Sequence, residues 1–510
     1  MTSSHTSLRL LLLLAISLGF FLNLHSVPLF DLDEGAFSEA TREMLLRGDF
    51  ISPYLNGEPR FDKPAFIHWL QAASVLAFGW NEFALRLPSA LAASVWVLVV
   101  YGFVRTMRDE RYALIAAIAM ATSLEIPIIA KAATADAALN LFITSAMLAA
   151  FLFQQRQRRG YLYACFVLMG LGFLTKGPVA VAIPGAVTLL FYLSRGEFKA
   201  WLRAVFDPLG IALFLAVALP WYVLQYLKEG DAFIAGFFFK HNVGRFQGAM
   251  EGHGGSVFYY VPVVLIGLLP YTAVLIKTLA QGKRLWRDEL SRYLLLWFAL
   301  VFVLFSLSGT KLPHYVVYGY AALYILMALN FDRLPGRGWL FLPPLLLFVL
   351  LLLLPEFISA ALPHIKDAHT TAMLQDHAGY FSTTYRLFFA AAAGLMLYFM
   401  WETRHSAQSK LLASGMITVC ALSLFITPLV AAIQQAPVKE AAALAKARDY
   451  PVVMWRLNTP SFNVYAQRLV EKRAPRAGDI VLTKSIYLAD LVGAEVLYQK
   501  NGIVLARLRD

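Results

Sequence analysis

The sequence predicts an all-α polytopic membrane protein with a small C-terminal α/β domain. Three observations lead there. Hydrophobic residues make up 59% of the 510 residues and charged residues only 15%, against about 45–50% and about 25% in soluble chains. The apolar excess falls in blocks of about 17–23 residues, the length that crosses a hydrocarbon core of roughly 30 Å. Only the stretch from about residue 438 onward reads as soluble. The same composition excludes an intrinsically disordered chain, a collagen-like repeat and a disulfide-rich secreted fold.

The net charge of +12 fits a positive-inside bias and contacts with anionic membrane lipids, so no nucleic-acid partner is expected. The two cysteines, Cys165 and Cys420, each lie within an apolar run. They form no Cys/His cluster, and the expectation is two small buried hydrophobes.

In chain order, Arg9 precedes an apolar run from Leu10 to Leu24 with no small-x-small cleavage site after it. This predicts a retained first helix rather than a removed leader. The apolar blocks cover 8–24, 84–104, 112–130, 134–153, 161–175, 178–194, 208–227, 257–278, 293–308, 315–330, 339–360, 383–401 and 411–433. That gives about 13 transmembrane helices. Six alternate loops are rich in arginine and lysine, such as Arg105/Arg108/Arg111 and Arg156/Arg158/Arg159. They place one side, with the N-terminus, in the cytoplasm. An odd number of spans then puts the C-terminus outside. The division is 1–437, spans and loops, with a long outer loop at 25–83, and 438–510, the α/β domain. Within the latter, strands are expected at Tyr450–Arg456 and Asp479–Thr483, and helices at Lys439–Arg448 and Ser461–Arg473.

Charged residues of the outer side concentrate in the first loop. From Glu34 to Arg47 the pattern suits an amphipathic helix at the membrane interface, with Phe37, Ala40, Thr41 and Met44 on one stripe and Glu39, Arg42 and Glu43 off it. Residues 65–79, with His68, Trp69 and Gln71, read as a second interfacial or re-entrant helix. Asp33 and Glu34 stand just after the first span. They can bind a divalent cation, act as a general base, or simply cap the following helix. Asp136 stands at the lip of the fourth span, where a carboxylate needs a partner or a function. Lys131, five residues earlier, is the nearest cation in sequence. Lys63, Lys176, Arg245 and Lys311 sit at turns on this side. Together they suit a phosphate or pyrophosphate; singly, each suits a lipid headgroup. Asp62 with a histidine such as His253 can complete a metal site, although no tight ligand spacing is present.

The runs DEGAFSEATREMLLRGDF (33–50), YLNGEPRFDKP (54–64) and NEFALRLPSALAA (81–93) are followed by Asp136 in KAATADAAL and by FLTKGPVA (173–180). After these come PWY (220–222), FFFKHNVGRF (237–246), KLPHYVVYGYAALYIL (311–326) and PSFNVYAQR (460–468). In this order they resemble the bacterial GT-C glycosyltransferases, namely the lipid A aminoarabinose transferases and the broader protein-mannosyltransferase-like group. The resemblance implies a GT-C fold in the bacterial inner membrane, with the active site and the C-terminal domain in the periplasm. It also implies an inverting transfer of a sugar from an undecaprenyl- or other polyprenyl-phosphate carrier to lipid A, another glycan or a protein. On this resemblance Asp33 is the principal acid, Asp136 the second, and Lys63 the lysine that holds the carrier phosphate. Asp62 and His253 fall near a divalent metal ion in related enzymes, and no organic cofactor is implied.

Two positions depart from the aminoarabinose transferases. Ala36 and Lys131 stand where those enzymes have arginines, which leaves the sugar open. Two other readings remain: a transporter or flippase of a lipid-linked sugar, and a non-catalytic scaffold. Charges gathered at one face rather than at the midplane weigh against the transporter.

Overall fold

Prolines and short polar breaks decide where the apolar blocks stay continuous. The structure, a computed structural model, describes residues 2–244, 248 and 254–509. Arg245 and His253 therefore lie outside the described residues. Among the described residues, six helices are long and apolar enough to cross a membrane: Glu82–Met107, Asp136–Arg156, Pro208–Glu229, Glu289–Leu307, Thr383–Trp401 and Ala407–Gln434. Two bent pairs also reach that length, Glu110–Thr122 with Glu125–Lys131 at 68° and Arg337–Leu352 with Leu354–His364 at 59°. These eight units coincide with eight of the thirteen apolar blocks. The other five blocks are helical but short, broken or less apolar. The 257–278 block, for example, splits into Tyr260–Gly267 and Thr272–Leu279 around Pro270, whose ring removes a backbone donor.

Aromatic side chains fill much of the helical core, and their polar tips are satisfied where they are buried. The Tyr293 hydroxyl donates to the Met147 carbonyl at 2.7 Å, and Trp297 Nε1 donates to the Tyr318 carbonyl at 2.8 Å.

The first loop is structured throughout. Asp33–Arg47 is a helix that ends on Gly48 in the left-handed conformation (φ 65°). Such a C-terminal glycine carries no Cβ penalty. Phe66–Phe78 is the second helix. The two are joined by buried polar contacts. The Thr41 hydroxyl donates to Gln71 Oε1 at 2.7 Å and lies 2.9 Å from His68 Nδ1. Gln71 Nε2 donates to the carbonyls of Leu85 and Ala133, both at 3.2 Å.

A charged clasp fixes this loop to the spans. Arg86 donates to both Glu34 oxygens at 2.8 and 2.6 Å and to the carbonyls of Leu24, Val27 and Pro28. Glu34 also accepts the backbone N–H groups of Ala133 at 2.7 Å and Phe30 at 2.9 Å. Both side chains are buried. The capping alternative considered for Glu34 is thus replaced by a fully occupied ion pair.

One expectation for the first helix fails. Glu39, Arg42 and Glu43 lie off the apolar stripe expected of the Asp33–Arg47 helix at the interface, yet all three are buried. Glu39 and Arg42 satisfy each other in a two-point ion pair at 2.6 and 2.7 Å. Glu43 accepts the Gly57 N–H at 3.0 Å. Part of the cover comes from the C-terminal part of the chain, whose Pro460–Ala466 helix packs on the Asp33–Arg47 helix.

That part builds a five-stranded sheet in the order 471–472, 452–454, 480–484, 503–507, 495–500. The first three strands run parallel and the last two are antiparallel. The Ala436–Ala447 helix packs its Val438, Ala441, Ala442 and Ala445 against the sheet residues Val452, Ile480, Leu482 and Leu505. The strands near 452 and 480 and both helix starts agree with the sequence reading. Residues 467–473 do not continue the helix. Gln467 closes it in the left-handed conformation, and 471–472 pair as an edge strand. The final hairpin was not foreseen.

Removing one partner of a buried ion pair leaves the other charge uncompensated, at a cost of about 3–5 kcal/mol. Arg86→Ala is therefore expected to destabilise the membrane-inserted protein by about that amount, read from detergent unfolding midpoints. Arg86→Lys, which keeps the charge but not the fork, should fall in between.

Candidate active site

Helix packing brings the central pair together. Asp136–Arg156 and Arg159–Lys176 form an antiparallel hairpin closed at Gln157–Arg158. The first residue of one helix and the last of the other therefore stand side by side. Asp136 lies at a helix N-terminus and Lys176 at a C-terminus, the ends whose dipoles favour those charges. Lys176 Nζ donates to Asp136 Oδ1 at 2.5 Å. The expected partner, Lys131, instead donates to Ser423 Oγ at 2.6 Å and to the Leu18 carbonyl at 3.3 Å. Asp136 is further met by Thr134 Oγ1 at 3.2 Å, the Tyr318 hydroxyl at 3.4 Å and His314 Nε2 at 3.8 Å. The Lys176 ammonium lies 5.4 and 5.7 Å from the ring centres of Tyr315 and Tyr318, within reach of cation–π attraction.

The chain reverses at Gly177 with φ 83°. A Cβ there would stand 2.6 Å from the Phe237 ring, so glycine is required both for the turn and for the close approach.

Two cavities meet at this pair. One, of about 270 Å³, is lined by the acids Asp31, Asp33, Glu34 and Asp136, with Lys131, Arg86 and His314. The other, of about 260 Å³, holds Lys63, Lys176, His241 and Asp62 beside an apolar wall that includes Val179, Ala182, Leu304 and Phe305. Asp136 faces the first and Lys176 the second. One chamber is thus rich in carboxylates, and its neighbour offers cations next to hydrocarbon.

Electrostatics differ sharply between neighbouring acids of the first loop. Burial pushes the Asp62 carboxyl up, but Arg60 and Lys63 outweigh it and hold Asp62 well below the usual carboxylate range. Arg60 grips both Asp62 oxygens at 2.6 and 3.0 Å. For Asp31 burial dominates and pushes the carboxyl up to about 7, against the hydrogen bonds from Ser461 that lower it. Glu39 is likewise pushed up to about 7 by burial, against the opposing effect of Arg42.

Of the residues singled out in the sequence, Asp33, Asp136, Glu34, Lys63, Lys176 and Asp62 line the two cavities. Glu34 does so with its oxygens already taken by Arg86. Lys311 lines neither, and its ammonium donates to the Ser308 carbonyl at 2.6 Å. Among the described residues, no group of three or more His, Cys, Asp or Glu side chains could hold a metal ion. Asp62, bound to a guanidinium and 3.5 Å from the Lys63 ammonium, sits among cations and does not fit a cation ligand. Asp31, Arg60, Tyr315 and Tyr318 were not foreseen as site residues. His314, read from the sequence with His241 and His253 as a candidate metal ligand, faces Asp136 instead. Tyr315 lies beside it in the KLPHY run, near a lysine that drew attention instead.

Fold and site together define a multi-pass membrane protein with a charged site at one end of its helices. Residues 62–223 match the family model for dolichyl-phosphate-mannose-protein mannosyltransferase. The chain is 32% identical over 315 residues to the undecaprenyl phosphate-alpha-4-amino-4-deoxy-L-arabinose arabinosyl transferase of Edwardsiella ictaluri, covering 60% of this chain and 56% of that one. An uncharacterised protein of Aquifex aeolicus is 34% identical over 303 residues, covering 59% of this chain and 68% of its own length. The chain thus spans somewhat more than half the length of the named arabinosyl transferase. In three dimensions it is similar to ArnT from Cupriavidus metallidurans bound to undecaprenyl phosphate, with a TM-score of 0.81, 22% identity and coverage of 98% and 97% of the two chains. The apo form of that protein gives a TM-score of 0.80, 22% identity and coverage of 99% and 98%. The chain thus shares its fold with that protein over nearly its whole length, and residues 62–223 carry the likeness to the mannosyltransferase family model.

Because Asp31 and Glu39 bind protons more tightly when folded than when unfolded, their contribution to stability is expected to fall as pH rises from about 4 to about 7 and to level off above. Asp49 and Asp62, held low, act in the opposite sense at more acid pH, and His68, pushed down to about 3 by burial, acts in the opposite sense up to its ordinary value near 6.5. Thermal midpoints measured from about pH 5 to about pH 8 should show this contribution declining in the wild type relative to a chain that lacks the two carboxyls. The decline should flatten in the double variant Asp31→Asn, Glu39→Gln.

Proposed function

We propose that the chain is an inverting glycosyltransferase that moves a sugar from a polyprenyl phosphate, undecaprenyl phosphate being the favoured carrier, to an acceptor at the outer face of the bacterial inner membrane. Lipid A, another envelope glycan or a protein fits that acceptor role. The observation that carries this reading is the junction of the two cavities at Asp136 and Lys176. A phosphate on a prenyl chain needs cations and hydrocarbon side by side, and the second cavity supplies Lys63 and Lys176 beside Val179, Ala182, Leu304 and Phe305. An acceptor hydroxyl needs a base, and the first cavity supplies exposed Asp33.

In this scheme the carrier phosphate is the leaving group. Lys63 and Lys176 offset its developing charge, with fixed donors in a water-poor site. Asp136 holds Lys176 at the boundary and, with Thr134 and Tyr318, keeps that ammonium from swinging away. Asp33 takes the acceptor's proton, or orients an acceptor phosphate that needs no base. Glu34 acts only by fixing the helix start that carries Asp33. No step runs through a metal ion.

Thirteen crossings, a cytoplasmic N-terminus and a periplasmic domain at 438–510 complete the reading. The support is the basic bias of alternate loops, together with contact between the C-terminal part and the first loop, which requires both on one side.

The test uses purified chain in lipid nanodiscs with undecaprenyl phosphate as the probe. A lost charge-assisted hydrogen bond is worth about 1.5–3 kcal/mol, so Lys63→Ala and Lys176→Ala should each weaken binding by about tenfold or more. Asp33→Asn should keep binding within about twofold and abolish transfer in cells. Unweakened binding in both lysine variants contradicts the carrier assignment, and full transfer in Asp33→Asn contradicts the role given to that acid.

A further inference from the structure

Glycosyl transfer as read above leaves the C-terminal part of the chain without a role, yet its contacts converge on the turn that carries Asp33. Asp31 Oδ1 accepts the backbone N–H of Ser461 at 3.0 Å, and Oδ2 accepts the Ser461 hydroxyl, across 430 residues of sequence. Two residues before Asp31, the Leu29 N–H donates to the Tyr465 hydroxyl at 2.7 Å. That hydroxyl donates in turn to Glu82 at 3.1 Å, and Glu82 is also paired with Lys439. Val464 packs with Leu29, Val75 and Leu85. Asn463 Nδ2 donates to Asn56 Oδ1 at 2.6 Å, on the far side of the same loop. Gly35 leaves the room for this docking. A Cβ there would stand 2.0 Å from Asp31 Oδ1 and 2.6 Å from the Ser461 nitrogen, closer than any side chain tolerates.

The geometry of Asp33 makes these contacts consequential. Asp33 and its neighbour Leu32 are exposed, with Leu32 46% accessible. Between the Leu29 and Glu34 anchors, Asp31 is the side chain that ties the turn down, and the atoms it is tied to belong to Ser461.

We propose that Ser461, through Asp31, is a positioning residue for Asp33: the C-terminal segment 460–466 sets the place of the site's principal carboxylate in the acidic cavity. This rests on the transfer reading for its functional consequence. Asp31 and Ser461 touch neither the carrier chamber nor its lysines. Their loss should therefore displace Asp33 and spare carrier binding. A displacement of about 1 Å at a reacting group costs up to about a hundredfold in rate.

The experiment compares Ser461→Ala, Ser461→Thr and Gly35→Ala in the full chain. Amide hydrogen exchange of residues 29–36 should quicken by about tenfold or more in Ser461→Ala and Gly35→Ala. Exchange of 66–78 should stay as in the wild type. Undecaprenyl phosphate binding should hold within about twofold, while transfer in cells falls about 10–100-fold. Ser461→Thr, which keeps the hydroxyl, should restore both exchange and transfer, a rescue that a merely structural role for the segment would not single out. Unchanged exchange at 29–36 in both disrupting variants overturns the proposal, as does quickened exchange with undiminished transfer. A wild-type chain that transfers no sugar would strike the reading of the previous subsection, and the exchange measurement would still decide whether Ser461 fixes the turn.

Discussion

The buried pair of Glu34 and Arg86 constrains the whole site-bearing end of the molecule. A guanidinium and a carboxylate withdrawn from water are tolerated only when every donor and acceptor finds a partner. Here the partners come from the exit of the first helix at Leu24–Pro28, from the first loop at Phe30, and from the turn at Ala133. Satisfying one ion pair therefore fixes three places that are far apart in sequence: residues 24–34, the helix that carries Arg86 and the turn at Ala133. Asp33 precedes Glu34 directly, and Asp136 follows Ala133 by three residues. The clasp thus sets the separation of the two acids on which the functional reading depends.

Around this clasp the charges are sorted rather than mixed. The antiparallel hairpin 136–176 delivers a carboxylate and an ammonium to one point, and each faces its own chamber. The acids of the first loop differ in the same way. Asp62, gripped by Arg60, is held well below the usual carboxylate range, while burial pushes the carboxyls of Asp31 and Glu39 up, against the hydrogen bonds of Ser461 and the charge of Arg42. A group transfer that expels a phosphate and accepts a hydroxyl proton needs cations at one place and a base at another, which is how the lysines and acids are divided between the two chambers.

Most of the site was legible because membrane burial makes charged residues conspicuous. Asp33, Asp136, Lys63 and Lys176 stand out against apolar sequence. What sequence did not show was pairing. Lys131 is five residues from Asp136 and Lys176 is forty, yet helix ends meet by packing and not by proximity along the chain. The buried charges of the first helix were misjudged for a related reason. Glu39, Arg42 and Glu43 read as a polar face because what covers them, the distant Pro460–Ala466 helix and the turn at Gly57, is brought there only by the fold. Two local signals were available. Asn501–Gly502, between VLYQK and IVLAR, is a strong hairpin turn pair and closes the final hairpin with both φ values positive. Prolines such as Pro270 mark breaks in blocks that hydropathy alone treats as continuous.

The account stands or falls on whether a sugar leaves a polyprenyl phosphate and arrives on an envelope acceptor. Mass spectrometry of the envelope from a deletion strain beside its parent, with lipid A, glycans, glycoproteins and polyprenyl-phosphate sugars extracted together, addresses this directly. The account predicts that one acceptor loses a sugar while the matching polyprenyl-phosphate sugar accumulates, and that Asp33→Asn reproduces both changes. Unaltered acceptors together with a lipid-linked sugar that changes sides of the membrane would contradict it and favour a transporter.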